Sequence, residues 1–102
     1  MSAERVVILT RDGVEVASAI CNFTVRTSRV GMISWRGTLA EIEPERTVQP
    51  EEYRLRLSAG EEGDIIVTHI HPILRGLRYL GDAATFQGTG PPPGRDDANR
   101  AN

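Results

Sequence analysis

The stretch Tyr53 to Pro72, "YRLRLSAGEEGDIIVTHIHP", decides the fold class of this chain. Tyr53, Leu55 and Leu57 alternate with Arg54, Arg56 and Ser58. That is the two-residue period of a strand with one buried face and one wet face. "AGEEG", Ala59 to Gly63, supplies a turn, and the β-branched run Asp64 to His71 follows it. Pro72 has no N–H to give to a ladder and marks the expected end of that strand. Strand, turn and strand in twenty residues make a hairpin. The face buried in the second strand also settles its two histidines, because Ile66 and Ile70 lie opposite His69 and His71. Burying those isoleucines places both imidazoles in water, but Ile65 and Val67 share the histidine face, which leaves burial of the strand start on both sides as the alternative.

The same period extends in both directions. "RVVILT", Arg5 to Thr10, is a short apolar strand, and Asp12-Gly13 after it signals a hairpin. From Val14 to about Thr27, Ala19, Cys21, Phe23 and Val25 share one face. Val14 and Val16 have the other parity, which predicts a bulge near Ala17 or Ser18. Ser28 to Gly31 is a turn. In "MISWRGTLAEI", Met32 to Ile42, Ile33, Trp35, Gly37 and Leu39 face one way while Ser34, Arg36 and Thr38 face the other. Glu43 to Glu52 reads as an acidic loop, with one turn of helix conceivable at "PEEYRL". "LRYL" (Leu77 to Leu80) and "ATFQGTG" (Ala84 to Gly90) add one or two strands, the last an edge strand guarded by the prolines behind it. Trp35, Phe23, Tyr53 and Phe86 anchor the core, with Tyr79 as a further candidate. The fold class is therefore all-β: a small antiparallel barrel or sandwich of six to seven strands. Residues 1–90 form the domain, and "PPPGRDDANRAN", 91–102, is read as a disordered polar tail.

The bulk numbers agree. A chain of 102 residues with 25% charged and 39% hydrophobic residues suits one globular domain. Its net charge of -2 gives no global case for nucleic acid or an anionic membrane. All 12 basic residues are arginine. Arginine suits bidentate anion recognition, but their scatter along the chain favours codon bias. The lone Cys21 allows no intrachain disulfide, and the N-terminus carries no signal-peptide pattern, so a reducing, cytoplasmic setting is the expectation.

Few residues suggest chemistry. His69 and His71 at i and i+2 share a strand face and could converge on zinc, with Cys21, Asp82, Asp64 or a glutamate completing the set. No recognisable spacing supports it, and two polar residues at a strand end are the plainer reading. Cys21, between apolar neighbours in mid-strand, reads as a buried, inert thiol. Gly88-Thr89-Gly90 lacks the third glycine, the helix and the lysine of a phosphate loop. The carboxylate pairs of the acidic loop have no apolar neighbours to shift them. Arg26, Arg36, Arg54 and Arg56 share an outer face, as in binders of single-stranded nucleic acid, but outward aromatics are missing.

Two features suggest a partner. Trp35 with Arg36 occupies one strand. "PILRGLRYL", Pro72 to Leu80, carries Ile73, Leu74, Leu77, Tyr79 and Leu80 around a turn, with more apolar surface than a connection needs. It either plugs a barrel end or forms an interface, a homodimer being the simplest. The motifs "SWRGTLAEI", "YRLRLSAGEEGDIIV" and "ATFQGTGPPP" resemble small bacterial β-domains of uncharacterised function. These have a Trp-x-Gly strand, a Gly-x-x-Gly hairpin and a closing Phe-x-Gly-x-Gly-Pro-Pro strand. The resemblance spans roughly Val14 to Pro92; its motifs are structural, and no catalytic residues carry over from it. The expectation is a non-enzymatic binding or regulatory module without a cofactor, acting through a protein or small-ligand interface. The alternatives are a small metal-dependent enzyme using His69 and His71, and a single-strand nucleic-acid binder.

Overall fold

The computed structural model describes residues 3–93. Six strands follow one another: β1 (Glu4–Leu9), β2 (Glu15–Thr27), β3 (Ile33–Glu43), β4 (Glu52–Arg56), β5 (Glu62–Arg75) and β6 (Arg78–Gly88). All neighbours are antiparallel in the order β1-β2-β3-β6-β5-β4, and β4 pairs back onto β1. The sheet thus closes into a six-stranded barrel. No helix lies among the described residues, the expected turn at Pro50 included, and so none is long and apolar enough to cross a membrane.

Three of the hairpin turns are built alike. Thr10, Ser28 and Leu57 each donate their backbone N–H to the carbonyl four residues on, and each accepts from a glycine N–H three residues on. Those glycines, Gly13, Gly31 and Gly60, have φ of 90°, 84° and 96°. A side chain resists that conformation, so the glycine fixes the loop at three residues. The β5–β6 turn is tighter, with Arg75 opposite Arg78 across Gly76-Leu77.

Alternation fills the barrel. Val6, Ile8, Ala19, Cys21, Leu39, Leu55, Ile65, Val67 and Phe86 are among its fully buried side chains. Bulges adjust the parity. One skips Val16 between β1 and β2, next to the expected position, so that Ala17 starts the buried series. Another sits at Glu41 (φ 52°), which lets Leu39 and Ile42 both face inward.

Both ends are stoppered. At the upper end, the connection between Glu43 and Glu52 crosses from β3 to β4, on the far side of the barrel, and buries Val48. Tyr53 anchors it: its hydroxyl accepts from the Gln49 N–H and donates to Glu51. Asp82, buried at 8% exposure, accepts from the Arg46 N–H and from the Tyr79 hydroxyl, while the Arg46 guanidinium lies over the Tyr79 ring. At the lower end, Trp35 packs edge-on against Phe23 and Phe86. Its Nε1–H donates to the Gly90 carbonyl at 2.9 Å. Pro92 and Pro93, which fall in the segment read as a tail, are buried there. The rest of the expected tail, 94–102, lies outside the described residues.

Several expectations are corrected. Ile65 and Val67, not Ile66, face the core of β5. A register shift between Val67 and His69 then reverses parity, so Ile70 packs on the core and both histidines are exposed. Pro72 does not end β5. β4 reaches only to Ile66, so the upper part of β5 is paired on one side, where a strand tolerates proline. β6 is one continuous strand and no edge: it lies between β3 and β5, because closure removes edges. The Pro72–Leu80 segment is no plug. It forms a projecting β5–β6 arm with Leu74 61%, Leu77 105% and Leu80 44% exposed.

Candidate functional site

Strand register divides the barrel wall in two. On β4 and β5, Arg54 stands opposite Asp64 and Arg56 opposite Glu62. Both meet their partners, at 3.0 Å and 2.9 Å, and Arg56 also reaches Glu15. Arg11 pairs with Glu52 nearby. The Asp64 carboxylate, by hydrogen bond and charge, pushes the Arg54 pKa further up. This wall is neutralised from within, so two of the four arginines expected to share a nucleic-acid face are already engaged.

The wall of β2, β3 and β6 differs. Its outward residues fall into rows across the strands. Asn22 faces Thr38, which faces Thr85; Thr24 faces Arg36, which faces Gln87; Arg26 faces Ser34. A hollow of about 490 Å³ lies over the first two rows, lined also by Phe23, Gly37, Phe86 and Thr68. A second of about 290 Å³ continues it along Arg26, Ser34 and Trp35, sharing Thr24, Arg36 and Gln87. Among the described residues no aspartate or glutamate lines either one. Neither Arg26 nor Arg36 has an ion-pair partner among the described residues.

Local sequence explains the shape. Gly37 lets β3 approach β2 so closely that a Cβ there would overlap the Asn22 carbonyl and Phe23. Gly88 leaves room for the Trp35 indole, which an added Cβ would strike. Both glycines belong to motifs read above as strand signatures, and Gly88-Thr89-Gly90 serves packing, with the Thr89 N–H donating to the Asp64 carbonyl. The bulge that reverses β5 turns Thr68 toward β6, where its hydroxyl lies 3.1 Å from that of Thr85.

The other candidates are dispersed. Trp35 is 3% exposed and stoppers the lower end, while Arg36, next in sequence, points outward into the groove. Ile73, Leu74, Leu77 and Tyr79 lie on the upper arm, away from Trp35. Tyr79 is held to Asp82, whose hydrogen bond, with desolvation and charge, pushes the phenol pKa up. His69 and His71 are exposed, and their expected co-ligands are employed elsewhere. Cys21 is buried in the core, where desolvation, helped by the Glu4 charge, pushes its thiol up to about 12. Asp82 is held by the Arg46 N–H and Tyr79, and Asp64 by Arg54. Among the described residues no three His, Cys, Asp or Glu side chains are grouped to hold a metal. Sequence reading missed Thr24, Thr38, Thr68, Thr85 and Gln87 as groove residues. Their outward parity was a partial signal; the adjacency of β3 and β6 was not. Of the resemblance drawn from the strand motifs, the structure shows the small all-β architecture; comparison with known proteins finds no matching family model, curated protein or solved structure.

Proposed function

We propose that the chain is a non-enzymatic binding module that takes a small ligand on the outer face of β2, β3 and β6. One observation carries this reading: a groove of about 490 Å³, within the size range of small-molecule sites, is lined by Arg36, neutral polar side chains, Phe23 and Phe86, and by no acid among the described residues. Both barrel ends are stoppered, which favours the exterior over the barrel mouth. The test is a fragment screen read by amide chemical shifts. The amides of Asn22, Thr24, Thr38, Thr85 and Gln87 move together and saturably, and Thr38→Trp, which fills the groove, removes the response. Shifts confined to the β5–β6 arm would sink the reading.

A second reading rests on that arm. Leu77, fully exposed at the apex between Arg75 and Arg78, with Leu74 and Leu80 beside it, suits self-association or a protein partner. Light scattering at millimolar protein then reads a dimer, and Leu77→Asp returns it to a monomer. A monomer throughout rules out the homodimer.

A further inference from the structure

We infer that the groove is a site for the phosphate group of a small phosphomonoester, held between Arg36 and Arg26. This deepens the proposed function and rests on it. Register places Thr24 opposite Arg36 and Arg26 opposite Ser34, so the two arginines are diagonal neighbours on adjacent strands. Diagonal positions lie roughly 7–8 Å apart, and two guanidinium groups on such stems can reach one dianion between them. The neighbours complete the match. Thr24, Ser34 and Thr38 carry hydroxyls, and Gln87, opposite Arg36, carries an amide. Each of these can donate, as the acceptor oxygens of a phosphate require.

The contrast with the opposite wall strengthens the assignment. Arginines that hold strands together here have a carboxylate set opposite them by register, as Arg54 and Arg56 do. Arg36 has hydroxyl and amide neighbours in those positions and no carboxylate partner among the described residues, which leaves its charge for a ligand. A small ligand is favoured over a nucleic-acid strand because the groove offers no fully exposed ring for stacking. Phe86 is 2% exposed, Trp35 is 3% exposed, and Phe23 in the groove lining is half-buried and packed against the core.

The test is a titration of the whole chain, at low salt, with inorganic phosphate, adenosine 5′-monophosphate and an eight-residue oligothymidylate, followed by amide shifts. Phosphate and the monophosphate should saturate the Thr24, Thr38 and Gln87 amides. Arg36→Gln should weaken that binding about tenfold or more, Arg26→Gln less, and Arg54→Gln not at all; tenfold corresponds to about 1.4 kcal/mol. Folding of each variant is checked by its amide spectrum, which the exposed position of these arginines should leave intact outside the groove. Equal affinity in Arg36→Gln, or equal response to the same concentration of chloride, overturns the site. Tighter binding of the oligothymidylate than of the monophosphate overturns the small-ligand assignment. A groove that answers neutral fragments but neither phosphate probe overturns the oxyanion chemistry alone, whereas a silent groove overturns the proposed function as well.

Discussion

The two walls of this barrel use the same residue, arginine, for different ends. Where β4 pairs with β5, Arg54 and Arg56 each face an acid across the ladder, and the pairs Arg54–Asp64 and Arg56–Glu62 form. On the wall of β2, β3 and β6, Arg36 faces Thr24 and Gln87, Arg26 faces Ser34, and a groove opens over them. Residue type is therefore uninformative alone. What a strand arginine does follows from the side chain that register sets opposite it, because opposite charges across a pair interact and hydroxyls leave the charge free.

Three experiments test the difference between the walls. The largest effect is expected from glycine. Gly88 on β6 and Gly63 on β5 both back onto Trp35, but with unequal room. A Cβ at Gly88 overlaps the indole and displaces the Nε1–H bond to Gly90. A Cβ at Gly63 lies 2.9 Å from Trp35 and Pro93, a milder conflict. Denaturant midpoints should show Gly88→Ala losing about 3 kcal/mol or more and Gly63→Ala about 1 kcal/mol, as overpacked cores do. Equal losses would mean that the walls grip the indole alike.

The second effect lies on the seam between the walls, where Cys21 of β2 faces Glu4 of β1. The folded thiol pKa is raised from 9.0 to about 12, so the native state keeps a proton that the unfolded chain releases. The stability this contributes is complete below pH 9 and is lost as pH climbs toward 12. The slope is at most about 1.4 kcal/mol per pH unit. Stability measured from pH 8 to 11 should fall less steeply in Cys21→Ala than in the parent. Parallel curves would show that the thiol ionises freely in the fold.

The smallest effect separates the walls most directly. Arg54→Ala should lower the thermal midpoint slightly at low salt, and added salt should shrink the loss, as for any exposed pair. Arg36→Ala should leave the midpoint unchanged at every salt concentration. A loss in Arg36→Ala equal to that in Arg54→Ala would place a hidden structural partner in the groove.

How much of this was legible beforehand depends on the range of the interaction. Alternation gave the buried faces of β2, β3 and β4, because side-chain direction in a strand is a local property. The glycines at 13 and 31 announced their turns, since a left-handed φ is local too. Three features were not local. The parity of β5 reverses at Thr68, and nothing in "VTHIH" reveals that one of its residues is left out of the pairing with β6. Pro72 reads as a stop, yet it lies inside the strand because β4 is too short to pair with β5 there. The groove is the third. Thr38 and Thr85 become neighbours only because β6 inserts between β3 and β5, the one departure from sequential strand order besides closure of β4 on β1. Trp35 and Arg36 read as a unit in the sequence, but adjacent strand residues face opposite ways, so the pair divides between stopper and groove.

Closure has one more consequence, for how the barrel moves. On β1, only Val7, Ile8 and Leu9 face partners on β4, whereas β2 pairs with β3 from Ser18 to Thr27. Four of the five connections are hairpins, so every ladder except β1–β4 and β3–β6 is zipped by a nearby turn. The β1–β4 seam is both the shortest and among the farthest apart in sequence. Sub-global opening follows the least costly break, so the barrel unrolls there first, into an open sheet with β1 and β4 at its edges. In that sheet β2, β3 and β6 remain paired side by side. The groove can therefore persist through native-state breathing that opens the β1–β4 seam, and amide protons paired across that seam exchange before those of Thr38 and Thr85.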